Sequence, residues 1–364
     1  MKKIAFAVGT LTACSLLLIA GANALTPEQE ALVRKYKISV ADQQKLFGTQ
    51  ATPPAPTANV AVPRRQAPSN ASSPQISSPA NDLLSSTYVW IGGDVYKSLG
   101  DRITNINGGT GGLANSFGVV GGFNTSVGIG ESPVRFQIGA SYGIYDFSGR
   151  LRIVPDAFDT EKQTFITAGI YKRGNMSTER DPISWGVVYD VMQASSWGVN
   201  ANDINLSQVR GIFGFALTPW TEVGVWGTGS LDKDRAAVTV AGAPGILSTI
   251  RSMDQGNFYV KQQFAFGGEL MAYVGRLDHA SIGDWQAGLR GQIPLSSYWS
   301  AYGNFNYVVP KGPSGPSGSG LEQWNVSFGL TYYFGGNAQS ASVTGNRLLP
   351  LLGVANNGSF LITD

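Results

Sequence analysis

From about residue 88 onward, apolar and polar residues alternate along the chain with a period of two. The clearest segment lies near the end, where the apolar series comprises Trp324, Val326, Phe328, Leu330, Tyr332 and Phe334. The residues between them are small, polar or aromatic. Because successive side chains of a strand point to opposite faces, this period predicts β-strands with one apolar face, and a helix would instead repeat every 3.6 residues.

Segments of this kind number twelve. They lie at residues 88–98, 115–125, 134–147, 162–172, 183–193, 205–217, 222–230, 257–266, 269–277, 284–293, 298–309 and 323–334. Their length of about ten residues is typical of transmembrane strands. A soluble β-sandwich would also alternate, but its strands average about five or six residues. We therefore predict an all-β fold, a membrane-spanning antiparallel up-and-down β-barrel of about 12 strands over residues 87–335, preceded by an N-terminal helical arm.

The connections between these segments alternate between short and long. Residues 218–221 and 267–268 make tight turns, whereas residues 99–114 and 231–256 make long polar loops. Outer-membrane barrels have short periplasmic turns and long outer loops. This alternation predicts the orientation of the barrel, and an even number of strands predicts that both termini are periplasmic.

The N-terminal region has three segments whose composition differs from that of the barrel. Residues 1–24 combine two lysines, an apolar run and a small-residue cleavage site, which predicts a secretory signal peptide. Lipoprotein processing at Cys14 is the alternative. Residues 25–48 predict a short helical periplasmic segment, since Thr26 and Pro27 form a helix start. Residues 49–86 are rich in Pro, Ser and Ala and predict a linker.

The alternation also assigns side chains to the two faces of the barrel. The predicted lipid-facing residues are Phe136, Ile138, Phe213, Phe215, Val326, Phe328 and Leu330. The charged residues predicted to line the lumen are Asp94, Arg135, Asp190, Arg210, Glu222, Lys261 and Arg290, with Glu269 near the periplasmic rim. The tryptophans predicted to form aromatic girdles are Trp185, Trp220, Trp285, Trp299 and Trp324. Girdles suit indole, which has an apolar body and a polar N–H.

Composition removes most other kinds of chemistry. The chain has one Cys and one His among 364 residues, which is too few for catalytic dyads or metal sites built from these residue types. We therefore predict no catalytic residues, no metal and no cofactor. His279 falls in a predicted outer loop. A net charge of +2 gives no basic field for nucleic acid.

At this point the chain resembles bacterial outer-membrane β-barrel proteins over roughly residues 88–334. The resemblance rests on the last strand, which ends Thr331-Tyr332-Tyr333-Phe334. Tyr332 and Phe334 are similar to the terminal aromatic signal that the barrel-assembly machinery reads, which implies that machinery as a partner. The tail at residues 336–364, predicted to be periplasmic or lumenal, resembles the ends of an uncharacterised planctomycete family of predicted barrels.

Two functions remain open from the sequence. The inward charges favour an outer-membrane barrel that acts as a passive channel for small solutes, with mild anion preference from Arg210 and Arg290. Alternatively, these charges neutralise one another inside a structural or envelope-anchoring barrel, and the arm at residues 25–86 binds an envelope partner. Outer-membrane lipids are a partner in both cases, and the sequence leaves the solute and the oligomeric state open.

Overall fold

The computed structural model describes residues 79–101, 115–147, 160–174, 181–240, 243–278, 282–310, 322–340 and 348–364. The predicted signal peptide, the helical segment at 25–48, most of the linker and His279 lie outside these residues. The described chain begins with helix α1 (Pro79–Ser85), so the predicted linker ends before residue 86. The side-chain hydroxyls of Ser86 and Thr87 donate hydrogen bonds to the carbonyl of Leu83 and so cap the C-terminal end of this helix. Within the described residues, no helix is long and apolar enough to span a membrane.

Twelve antiparallel strands form a closed barrel, as predicted. In chain order these strands are β1 (Tyr88–Lys97), β2 (Ser116–Gly128), β3 (Arg135–Tyr145), β4 (Glu161–Lys172), β5 (Ile183–Trp197), β6 (Asn202–Ala216), β7 (Thr221–Ser230), β10 (Asp254–Gln263), β11 (Glu269–Asp278), β12 (Gly283–Pro294), β13 (Trp299–Pro310) and β14 (Gln323–Tyr333). Strands β1 and β14 pair from Tyr88↔Tyr333 to Lys97↔Trp324 and close the ring. Closure leaves no unpaired sheet edge, which a lipid environment requires.

The two ends of the barrel differ. At one end, here called the turn end, β1 begins, β14 ends, and short connections such as residues 217–220 and 295–298 join the strands. The opposite end, here called the hairpin end, carries strands β8 (Asp234–Val240) and β9 (Ala243–Ser252) between β7 and β10. The sequence predicted a long polar loop here. The hairpin forms instead because Ala236, Val238 and Ile250 are buried in the apolar core of this end.

The outer face of the barrel is apolar. Large hydrophobic side chains such as Ile91, Phe117, Phe258 and Phe305 are exposed there, which a soluble monomer does not tolerate over so wide an area. Charged side chains on this face, such as Lys162 and Arg276, stand near strand ends in the described residues. An apolar band with charges at its margins is the surface of a membrane-spanning barrel.

The C-terminal tail occupies the interior of the barrel. Residues 348–364 follow the lumen from the turn end, where the carbonyl of Leu348 meets Tyr171, to the hairpin end, where β15 (Ile362–Thr363) pairs with β9. The sequence predicted that both termini are periplasmic, at the same end of the barrel. In the structure the tail has backbone partners along the lumen and finishes at the end opposite to the start of β1, and the periplasmic location of the termini stays a prediction.

Candidate functional site

Strand alternation turns the predicted charged residues inward. There, several of them form ion pairs instead of lining the wall as separate charges. Arg210 pairs with Asp190, and the Lys261 Nζ lies 2.9 Å from Glu222 Oε1. Arg135 pairs with Asp82 of α1, with 3.1 Å between Nη2 and Oδ2. Asp190 lies in the middle of β5, which continues to Trp197, and Lys261 lies near the turn end of β10, which begins at Asp254.

The pair of Asp190 and Arg210 forms the centre of a group that holds the tail, here called the tail clamp (Thr167, Asp190, Gln208 and Arg210). Arg210 Nε and Nη2 donate to the two oxygens of Asp190 at 2.9 and 3.0 Å. Thr167 and Gln208 donate to the same carboxylate. Each of these side chains is buried. A bidentate, fully hydrogen-bonded ion pair is the form in which buried charges are tolerated.

The tail clamp binds the tail through its backbone. Arg210 Nη2 donates to the carbonyl of Gly353 at 2.7 Å, and Gln208 donates to that of Ser359. The amide of Ala355 donates to Thr167 Oγ1 at 3.0 Å. One carboxylate therefore orients three side chains that bind three points along the tail.

Two further anchors hold the tail on either side of the clamp. Towards the turn end, the Gln137 side chain both donates to the carbonyl of Leu352 at 2.9 Å and accepts from its amide at 3.2 Å. Towards the hairpin end, Asn357 Nδ2 lies 2.9 Å from both Asp94 Oδ2 and Gln163 Oε1. The anchors are glutamine and asparagine because these side chains carry a donor and an acceptor together.

Inward glycines make room for the tail. A Cβ atom at Gly139 would lie 2.6 Å from Val354 Cγ2, and one at Gly186 would lie 2.6 Å from Leu352 Cδ1. Both distances are far inside van der Waals contact. The absence of a side chain at these positions is thus what lets the tail lie against the β3 and β5 wall.

The hairpin end of the lumen is closed by an apolar core. Phe360 of the tail packs on Phe165, with ring centroids 6.1 Å apart, and both are buried with Trp197 and Met253. The amide of Met253 donates to the carbonyl of Leu361 at 2.7 Å. The last residues of the tail therefore fill the space between these side chains in the described part of the chain.

A cavity remains between the tail and the opposite wall of the barrel. Its volume is about 240 Å³, and its lining residues come from β1 to β4, from β11 to β14 and from tail residues 349–356. Its charged lining residues are Asp94, Arg173, Glu269 and Arg290. The side chains on the tail side, such as Gln137 and Gln163, are fully buried, whereas Arg290 and Tyr302 across the cavity are half-buried.

Arg290 differs from the other inward cations. Its guanidinium carbon lies 5.2 Å from the centre of the Trp226 ring and 5.8 Å from that of Tyr273, which are cation–π distances. Trp226 and Tyr273 themselves meet edge to face. Within the described residues, Arg290 forms no ion pair with a carboxylate. It is therefore a cation held by aromatic faces.

The remaining predicted residues lie on the outer face. The seven predicted lipid-facing side chains point outward, and their contact with lipid stays a prediction. Trp185, Trp220 and Trp299 lie at the turn end, and Trp285 and Trp324 at the hairpin end. Tyr332 packs edge to face on Phe334 and at a tilt on Trp299 at the turn end. Whether Tyr332 and Phe334 direct assembly stays a prediction.

Sequence reasoning missed the residues that anchor the tail. Gln137, Gln163 and Gln208 are polar residues of alternating strands, and alternation alone does not distinguish an anchor from an ordinary polar residue. The sequence feature that could have indicated these anchors is the glutamine or asparagine at inward positions, because a simple water-filled wall needs only small polar residues there. No group of three or more potential metal ligands occurs in the part of the chain that the structure describes.

A family model matches residues 86–362, which span the barrel and the tail. The chain belongs to the family of unknown function DUF6666. The matched region ends at Ile362, the first residue of β15, so the match covers the twelve strands and nearly all of the tail. Among curated proteins, no sequence matches the chain.

Several solved structures are similar to this chain at very low sequence identity. A chain from a study of the in-meso crystallisation of membrane proteins is 8% identical, with a TM-score of 0.45, and the alignment covers 76% of this chain and 99% of that one. A KdgM porin in complex with disordered oligogalacturonate is also 8% identical, with a TM-score of 0.37 and coverage of 68% and 98%. The outer-membrane phospholipase A of Escherichia coli is 9% identical, with a TM-score of 0.37 and coverage of 67% and 92%.

Proposed function

We propose that this DUF6666 protein is an outer-membrane channel for small solutes whose lumen is closed by its own C-terminal tail. The observation that carries the proposal is the position of residues 348–364, which are held inside the barrel by side chain to backbone hydrogen bonds. These residues form no strand of the closed barrel, so they can leave the lumen without the barrel opening. The turn end is then the periplasmic end.

The size of the barrel supports a conducting lumen. Barrels of about eight strands fill their interior with side chains, and those of about sixteen leave an aqueous channel. In this twelve-strand barrel the tail shares the interior with buried aromatic side chains such as Tyr145, Tyr259 and Tyr273, and a polar cavity is left beside it. Removal of the tail would join that cavity to the space that residues 348–364 vacate.

The first prediction concerns this closure. In planar bilayers, the mature full-length protein is expected to conduct little, and a variant that ends before residue 348 is expected to show stable single channels. Heat-modifiable mobility on gels serves as the control for folding. If the folded truncated protein does not conduct, the channel proposal is wrong and the anchoring function is favoured.

A reversible disulfide between the tail and the barrel distinguishes an effect of tail movement from an effect of truncation. Thr167→Cys combined with Ala355→Cys puts two thiols on residues that are in contact, since the Ala355 amide donates to Thr167 Oγ1 at 3.0 Å. The natural Cys14 falls in the predicted signal peptide. Any openings of the full-length channel should disappear when this pair is oxidised and return when it is reduced. Openings that persist in the oxidised protein would mean that the tail is not the closing element.

The predicted anion preference has weaker support than the channel. The cavity lining carries Arg173 and Arg290 against Asp94 and Glu269, so its formal charge is balanced. Arg210, one of the two residues on which the preference was based, is neutralised by Asp190. We therefore expect at most a small anion preference, and we assign it to Arg290. A reversal potential measured under a salt gradient, for the truncated protein with and without Arg290→Gln, would test this assignment.

The second candidate function is a structural or envelope-anchoring barrel. It is favoured by the apolar core at the hairpin end, in which the tail residues Phe360, Leu361 and Ile362 are buried. In this case the arm at residues 25–86 is the interaction module. A pull-down from envelope extracts with the full mature protein and with a variant lacking residues 25–78 would identify such a partner.

A further inference from the structure

A row of inward polar side chains crosses four neighbouring strands at one level of the cavity. The strand register joins Arg290 to Asn304, Asn304 to Ser327, and Ser327 to Asp94. Neighbouring strands lie about 4.8 Å apart, so the row is about 14 Å long at the backbone. It has a cation at one end, a carboxylate at the other, and an amide and a hydroxyl between them.

The groups of this row have hydrogen-bonding capacity towards the cavity. Asn304 Nδ2 donates to Ser327 Oγ at 3.0 Å, which leaves the hydroxyl proton of Ser327 and the carbonyl oxygen of Asn304 available. The hydroxyl of Tyr302, which also lines the cavity, is buried and has no hydrogen-bond partner. A buried polar group without a partner is costly, so a partner supplied by a bound molecule would stabilise this wall.

Arg290 is poised for an anion. Trp226 and Tyr273 cover the guanidinium through their rings, and no carboxylate in the described chain pairs with it. A guanidinium donates through N–H groups that lie in its plane, in a fork that matches the two oxygens of a carboxylate. Arg290 also hydrogen-bonds the Tyr273 side chain. Because a guanidinium carries five N–H groups, donors remain for an anion in the cavity.

We propose that the cavity binds a small hydroxylated carboxylate. Its carboxylate would lie against Arg290, and its hydroxyl groups would lie along Asn304, Ser327 and Tyr302 towards Asp94, which can accept from a hydroxyl. The cavity of about 240 Å³ is below the roughly 300–1,000 Å³ of sites for drug-sized ligands, which sets a small solute as the occupant. The tail forms one wall, so the site exists in the closed protein. The inference names the solute class of the proposed channel and so rests on that function.

The test uses gluconate, a six-carbon hydroxy acid, and sorbitol, the matched neutral polyol, as probes. Binding is followed by isothermal titration calorimetry and by the fluorescence of the folded full-length protein in detergent, in which Trp226 lies against Arg290. Gluconate is expected to bind and sorbitol to bind at least about tenfold more weakly, since hydrogen bonds to charged groups contribute about 1.5–3 kcal/mol. Equal binding of the two, or no gluconate binding, would overturn the proposal.

Variants assign the binding to the row. Arg290→Gln should weaken gluconate binding about tenfold or more, and Tyr302→Phe, which keeps the ring, should weaken it by a smaller factor. Arg251→Gln is the matched control, because Arg251 lies on β9 and pairs with Asp254 outside the cavity. An unchanged affinity in both cavity variants would remove the assignment. If only Arg290→Gln fails to fold, Tyr302→Phe decides.

Inorganic phosphate distinguishes a hydroxy-acid site from a general anion site. Phosphate that binds as tightly as gluconate would contradict the role of the hydroxyl-binding wall, and weak phosphate binding would support it. Because binding is measured without a membrane, it can fail while truncation still opens a channel, or succeed while no variant conducts. The failure of this inference and the failure of the proposed channel are therefore distinguishable.

Discussion

Asp190→Ala is expected to destabilise the barrel by about 3–5 kcal/mol, the cost of leaving one partner of a buried ion pair without the other. The side chains of Asp190 and Arg210 are 0% and 3% exposed. Removal of the carboxylate leaves the Arg210 guanidinium buried with the carbonyl of Gly353 as its remaining acceptor in the described structure. It also leaves Thr167 and Gln208 without the oxygens that orient them.

The measurement is the free energy of unfolding in urea, followed in lipid vesicles by tryptophan fluorescence. Asp254→Ala is the matched control, because Asp254 pairs with Arg251 at the partly exposed hairpin end, where an ion pair contributes about 0–1 kcal/mol. The double variant Asp190→Ala with Arg210→Ala should be less destabilised than the sum of the single variants, since no unpaired charge is left. Strict additivity would show that the two residues do not act as a pair.

The twelve strands could be predicted because the period of two is a local property of the sequence. Each predicted segment overlaps one barrel strand, and strand ends differ by a few residues, as at β5, which runs on to Trp197. Long strands with one apolar face occur where lipid replaces a protein core, so length and alternation together indicate the fold. No contact between distant residues had to be known.

The closure of the lumen could not be predicted, since it depends on distant contacts. The partners of Gly353, Ala355 and Asn357 lie on β1, β4 and β6, up to 263 residues away along the chain. The tail has no regular period that would assign it to a wall. Its backbone is instead bound by side chains whose inward direction was predicted but whose partner was not.

The pairing of the inward charges also required the register. Glu222 and Lys261 are directly opposite each other on β7 and β10, which are neighbours only because the β8–β9 hairpin is left out of the barrel. With the hairpin taken as a loop, the strand order was still correct. Whether the two charges met or lined separate parts of the wall was not readable until the register was known.

Phe328→Arg is expected to destabilise or misassemble the protein, because an arginine on the lipid face near the bilayer midplane costs about 2–4 kcal/mol. Phe328 is the sixth of the eleven residues of β14, and its side chain is 55% exposed on the outer face. Its ring covers Gly93 of β1, the position directly opposite in the register. The measurement is the yield of heat-modifiable protein and the free energy of unfolding in vesicles.

Two further variants separate the effect of the added charge from the effect of lost packing and from the effect of the position on the strand. Phe328→Ala removes the ring from Gly93 without adding a charge, so it should cost less than Phe328→Arg. Ser327→Arg places the same charge one residue away, on the inner face, where Ser327 borders the cavity and lies opposite Asp94. The new cation there has space and a carboxylate within reach, so this variant should fold. If Ser327→Arg and Phe328→Arg were equally damaging, the outer face of β14 would not be in contact with lipid, and the membrane-spanning orientation of the strand would be wrong.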